Sequence, residues 1–228
     1  MIVCSDHSQS QVEAEIDLFK AFDGFGLEPP MPTRVRRDGE PTEIAVCPSS
    51  RSAQVYVLDR ERRGELIPRI ERTALALEGV DLVMHLTDHP DGEAAIRGAR
   101  GEVRFMPGGE LVDRRGERWH VEGDLKLLGL TVRDGVLLSA TYPDALGRAW
   151  SALRCRNSAE VLLSARPGYE FIDWGGDHHV GGGSHGSLHA NDSLGTLLWC
   201  GTGPDSADAK DQWSLRDILP MVREHFGV

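Results

Sequence analysis

The stretch from Gly175 to Pro204, GGDHHVGGGSHGSLHANDSLGTLLWCGTGP, constrains this chain more than any other. It gathers four of the nine histidines (His178, His179, His185 and His189) with Asp177, Asp192 and a dense set of glycines. Glycine reaches positive φ without steric cost, so a backbone of this composition turns sharply and can aim a following side chain. The apolar run Leu194 to Cys200 comes next and reads as a buried strand. Imidazoles and carboxylates are therefore set on a tightly turning backbone beside the core, with Ser184-His185-Gly186 presenting one histidine from the loop. Neutral imidazole is the commonest protein ligand for zinc and related ions, and carboxylates complete such shells. The competing reading is a surface turn.

Charge narrows the partners. Asp and Glu number 36 against 25 Lys and Arg, a formal net charge of -11. A protein that coats nucleic acid or an anionic membrane needs a basic face, and this balance argues against both. A phosphate-bearing substrate stays open, because bound divalent cations supply positive charge locally. With 228 residues the chain is long enough for a substantial core. Cys4, Cys47, Cys155 and Cys200 are widely spaced without a CxxC pair, and read as reduced, mostly buried thiols. No run approaches the roughly 18 to 20 apolar residues of a membrane span and the N-terminus lacks a signal pattern, so the expectation is a soluble, cytoplasmic protein without a membrane partner.

Along the chain, Met1-Ile2-Val3-Cys4 reads as a buried strand that ends at Ser5-Asp6-His7, where the ligand crevice of an open α/β sheet would lie. Residues 11 to 22 place Val12, Ile16, Phe19 and Phe22 at helical spacing. Pro29, Pro30 and Pro32 then enforce a loop. Strands are expected at Glu43 to Val46 and Gln54 to Leu58, a helix over Leu66 to Leu77 and a buried strand at Val80 to Leu86, a succession that suggests a βαβ unit. Short strand candidates between Gly101 and Ala140, with Asp134-Gly135 as a hairpin signal, suggest a β-rich insertion. Further expectations are a helix over Pro143 to Leu153, a strand at Val161 to Ser164, a strand from Leu194 to Trp199 and a closing amphipathic helix from Leu215 to Phe226.

Four motifs in order resemble the alkaline phosphatase superfamily, and most closely its nucleotide pyrophosphatase/phosphodiesterase branch. They are Ser5-Asp6-His7, Gly183-Ser184-His185-Gly186, Gly201-Thr202-Gly203-Pro204 and Asp217-Ile218-Leu219-Pro220. Two positions depart from the family pattern: Ser8 replaces the usual glycine, and Thr202 the histidine of H-G-P. The resemblance implies an α/β fold with a central mixed or mostly parallel sheet flanked by helices, of which residues 1 to 228 would be the C-terminal part. It also implies a two-metal phosphoryl-transfer site, with Asp6 and His7 on one divalent ion and His185 on the other. Zinc is the expected metal, with manganese or magnesium as alternatives. The substrate would be a small phosphate ester, a phosphodiester or pyrophosphate. The family's nucleophile and remaining ligands precede the S-D-H strand and match nothing here, so an N-terminal half of the same enzyme is an expected partner. Sulfatase, phosphonate hydrolase and phosphomutase chemistry, or a non-catalytic metal-binding fragment, are the alternatives. His178, His179, His189 and Asp177 flank the proposed ligand as either substrate or outer-sphere contacts, or as polar loop residues.

Overall fold

β-branched and aromatic residues at alternating positions make strands the commonest regular structure among the described residues of this chain. The computed structural model describes residues 1–27, 42–201 and 212–228, and in them the strands assemble into three sheets. The first part of the chain contains β1 (Ile2–Cys4), β2 (Ser10–Ile16), α1 (Leu18–Ala21), β3 (Ile44–Ser49) and β4 (Ser52–Val57). Next come α2 (Arg63–Leu75), β5 (Val80–Leu86), β6 (Ala94–Gly98), β7 (Gly101–Asp113) and β8 (Arg118–Gly123). β9 (Thr131–Arg133), β10 (Val136–Leu138), α3 (Ala145–Leu153), β11 (Val161–Ala165) and β12 (Gly168–Phe171) follow. The last elements are β13 (Gly183–Ser184), α4 (Ala190–Ser193), β14 (Leu197–Trp199) and α5 (Ile218–Phe226).

The expected α/β architecture, a mostly parallel sheet flanked by helices, is not what the chain builds. Its main sheet has nine strands in the order β3-β4-β11-β5-β6-β7-β10-β9, with β8 on β7. Its pairs are antiparallel except β10 on β7. The strand-helix-strand succession β4-α2-β5 does join two strands that run the same way. They are not neighbours, however, because β11 inserts between them, antiparallel to both, with Val161 opposite Val55 on one side and His85 on the other. Periodicity identifies strands but not which distant strand fills a gap, and that gap made the succession read as a parallel unit. Several hairpins close with two-residue turns. Ser50-Arg51 joins β3 to β4, and Asp134-Gly135 joins β9 to β10 with φ of 53° and 79°, the left-handed pair that a twisted hairpin requires.

The centre of this sheet is buried on both faces. Val83 of β5 packs with Val55, Ile70 and Phe171 in one core, while Leu82 and Met84 pack with Ile96, Phe105 and Leu146 in another. α2 covers the first face and α3 the second. β2 forms a smaller, three-stranded sheet between β12 and β13, and β1 pairs only with β14.

Several local expectations change. Residues 11 to 22 are not one helix: β2 precedes a single turn of α1, which Asp17 caps by accepting from Lys20 N at 2.9 Å. Val12, Ala14 and Ile16 also fit a period of two, with Gln11, Glu13 and Glu15 outward, and two neighbouring strands make that period the better solution. β1 and β14 are not buried; Val3 and Leu198 face each other across the ribbon at 51% and 60% exposure. The apolar face of the last helix is likewise open, with Leu219 and Phe226 exposed and Met221 buried. Cys4, Cys155 and Cys200 are exposed and Cys47 half-buried, so the thiols are free but not core residues. Pro29 to Pro32 and Thr202 to Pro204 lie outside the described residues. Among the described residues no helix is long and apolar enough to cross a membrane.

A charged cluster lies between α2 and the sheet. His85 Nε2 is 2.9 Å from Glu71 Oε1, near enough for an ion pair though off the line of a well-directed hydrogen bond, and Arg97 reaches Glu71 Oε2 at 3.0 Å. Burial alone would push His85 down, but the Glu71 carboxylate outweighs it and the imidazole is held above its ordinary value. Folding therefore favours the protonated form. The stabilisation is complete below the ordinary value near 6.5 and is lost as pH rises through the raised, folded value. Urea unfolding between about pH 5 and 9 checks this. The wild-type curve should lose stability across the window relative to Glu71→Gln, and parallel curves would refute the assignment.

Candidate functional site

Arg51 occupies the β3–β4 turn with its side chain fully buried, and its charge is met by Asp192 of α4 at 3.2 Å, also 0% exposed. A buried charge is tolerated only when paired and hydrogen-bonded. The Arg51 guanidinium also donates to Ser10 Oγ and to the Ser10 and Gln11 carbonyls of β2. Asp192 accepts from Ser10 Oγ at 2.6 Å, Ser187 Oγ at 2.6 Å and Ser187 N at 3.2 Å. One ion pair thus joins β2, the β3–β4 turn and the loop after β13.

That loop carries His185. Its carbonyl accepts from Arg51 N at 2.9 Å, and Gly186, at φ 110°, turns the chain where it runs against the β3–β4 turn. The N-terminal loop is pinned to the same frame by Ser8 N to Asp192 O at 3.0 Å and Ser5 N to Thr196 O at 2.9 Å. The two loops bring His7 and His185 into a stack with ring centroids 3.7 Å apart and planes at 17°. Asp6 Oδ2 lies 3.3 Å from His7 Nε2. All three residues line one cavity of about 730 Å³.

His7 has a defined tautomer. Its Nδ1 is 2.8 Å from the Ser8 carbonyl, which can only accept, so Nδ1 carries the proton and donates. In the neutral ring Nε2 is then the unprotonated nitrogen, 3.3 Å from Asp6 Oδ2. The residues fit a metal on this edge: two donors each about 2.0–2.1 Å from a tetrahedral zinc stand about 3.4 Å apart, and a ligating histidine usually donates its other nitrogen to a carbonyl. Among the described residues no group of three or more His, Cys, Asp and Glu side chains is placed around a single ion. His185 stacks flat on His7, and nearly parallel rings direct their lone pairs in parallel rather than to one point.

The flanking candidates lie elsewhere. His178 is 3.4 Å from Glu15, and His179 Nδ1 is 3.0 Å from Glu170, a buried carboxylate. Burial would raise Glu170, but hydrogen bonds from His179 hold it below its ordinary value. Asp177 N donates to Asp173 Oδ1 at 3.0 Å within a turn. His189 caps α4, accepting from Asn191 N at 3.2 Å, and packs edge-on against Tyr142. None of these four lines the cavity.

Residues that the motifs did not single out do line it: Arg115, Asp144, Arg148 and Arg216. Arg115 comes from the β7–β8 turn and pairs with Asp217 at 3.4 Å. Asp217 closes a capping box with Ser214 ahead of α5. Asp144 precedes α3 in the left-handed region at φ 52°. Its carboxyl is pushed up by burial and by Asp113, against the arginines around it. None of these four carried a readable sequence signal, whereas Asp217 belongs to the fourth motif and to the Ser214-x-x-Asp217 capping spacing.

No family model matches this chain, and neither does any curated protein or solved structure. The resemblance to the alkaline phosphatase superfamily therefore rests on the motifs. Asp6-His7 and His185 meet in the cavity, Asp217 pairs at its rim with Arg115, and Thr202 to Pro204 lie outside the described residues.

Removing one member of a buried ion pair strands the other charge. Asp192→Ala should cost about 3–5 kcal/mol in urea unfolding. Ser10→Ala, which removes one neutral hydrogen-bonding group, should cost about 1 kcal/mol. Equal, small costs would mean that the pair does not hold the loops.

Proposed function

We propose that this chain carries a metal-dependent site for phosphoric esters and takes part in hydrolysis of a small phosphodiester or pyrophosphate. The observation that carries the reading is the meeting of Asp6-His7 and His185, from opposite ends of the chain, with stacked imidazoles in one cavity. Asp6 and His7 would hold one divalent ion, and His185 a neighbouring one. Zinc suits these donors best, with manganese or magnesium as alternatives, and a pair of such ions neutralises charge on the attacking and leaving oxygens of an in-line displacement.

The chain's own residues prepare that site. The Ser8 carbonyl fixes the His7 tautomer and leaves Nε2 toward Asp6. Arg51 and Asp192 hold the His185 loop in place, and of the two only Asp192 lines the cavity. Arg148 and Arg216 add positive potential to the same cavity, which favours an anionic substrate in a chain of net charge -11. The nucleophile is assigned to no residue of this chain.

Elemental analysis of the purified protein beside Asp6→Ala and His185→Ala, with bis-p-nitrophenyl phosphate hydrolysis on the same samples, tests the reading. The expected result is bound zinc or manganese in the wild type, its loss in both variants, and turnover that falls at least tenfold in each. Metal content unchanged by both substitutions would overturn the ligand assignment. Metal lost as expected, with no turnover in any sample, would overturn the hydrolytic part alone.

A further inference from the structure

Arg148 of α3 lines the cavity without a counter-ion. One terminal nitrogen donates to the Pro143 carbonyl at 3.2 Å and the Leu188 carbonyl at 3.1 Å, and the other to the Ser187 carbonyl at 3.3 Å. All three acceptors are neutral, and among the described residues Arg148 makes no ion pair. Burial holds its pKa below the ordinary guanidinium value, against the attraction of Asp144 and Asp192. A desolvated cation held only by carbonyls is stabilised strongly by any anion that reaches it. Arg216, exposed at the head of the terminal helix, lines the same cavity and likewise has no ion-pair partner among the described residues.

Asp144, the acid whose charge acts most on Arg148, makes no ion pair with either arginine. Asp144 feels Arg115, Arg216 and Arg148 together, yet burial and Asp113 disfavour its charged form. Its backbone sits at φ 52°, a conformation that costs free energy in a residue with a side chain. It also makes no capping bond to α3. Its carboxyl is accommodated by Gly147, where an added Cβ would lie 2.8 Å from Asp144 Oδ1. The local structure thus keeps an acid beside the arginines without bonding it to them. Guanidinium groups offer planar, forked donors that match phosphate oxygens in pairs.

We propose that Arg148 and Arg216 form an anion subsite beside Asp6, His7 and His185, which takes the second phosphoryl group of a substrate carrying two. The choice of phosphoryl over carboxylate rests on the phosphoric-ester reading of the cavity. The substrate class is then a pyrophosphate or a phosphodiester with a terminal phosphate, rather than a simple monoester.

Calorimetric titration of inorganic phosphate and pyrophosphate into the metal-free 228-residue chain tests this without turnover. The wild type should bind both, and Arg148→Gln and Arg216→Gln should each weaken binding tenfold or more. Asp144→Asn, which removes a competing charge and places a residue tolerant of positive φ there, should tighten it severalfold. Arg216 is exposed, so its substitution keeps the test valid even if Arg148→Gln unfolds by circular dichroism. Absence of phosphate binding in the wild type, or binding in Arg216→Gln equal to the wild type, would overturn the subsite. Failure of hydrolysis with metal would leave these titrations unaffected, so the two proposals fail separately.

Discussion

The ion pair between Arg51 and Asp192 is the constraint on which the candidate site depends. Neither charge can stay buried alone, so the β3–β4 turn, the start of β2 and the loop before α4 must meet in one arrangement to satisfy both. His185 inherits its place from this arrangement through the Arg51 amide, and the loop with Asp6 and His7 inherits its own through Ser8 and the Asp192 carbonyl. An apolar pair of similar volume would fill the space, but it would not specify which three segments converge.

The main sheet provides the wall behind that junction. β5 and β11 are buried on both faces, so their side chains divide between two cores, and each core recruits one helix. α3, on one of those cores, also carries Arg148 into the cavity. The site therefore lies off the nine-stranded sheet, where the β1–β14 ribbon, α4 and the N-terminal end of α3 come together. That location differs from the crevice at the ends of parallel strands which the motif order suggested, because the strands around it are antiparallel and belong to separate sheets.

Electrostatics shows the same dependence on position. The chain is acidic overall, yet three arginines gather around one cavity, one of them paired with Asp217 and two without an ion-pair partner among the described residues. Asp144 stands among them with its charged form disfavoured. Net charge bounds which large polyanions a protein would coat, but the sign of a pocket is decided by the few side chains that line it.

What the sequence by itself determined was local. The Asp134-Gly135 hairpin, α2, β5 and the strands near β7 and β8 were legible because turn chemistry and side-chain period act within a few residues. The candidate residues Asp6, His7 and His185 were legible too, as histidines and an acid next to glycine or a strand end. Tertiary structure alone decided the rest. Residues 11 to 16 satisfy helical and strand periods alike, and only two flanking strands choose between them. β11 enters beside β5 from far along the chain, turning an apparent parallel unit into an antiparallel sheet. Asp192, a loop acid by its sequence surroundings, becomes a core residue only because Arg51 reaches it. Period and turn propensity belong to the segment itself, whereas pairing, burial and counter-charge belong to whichever distant segment displaces its water.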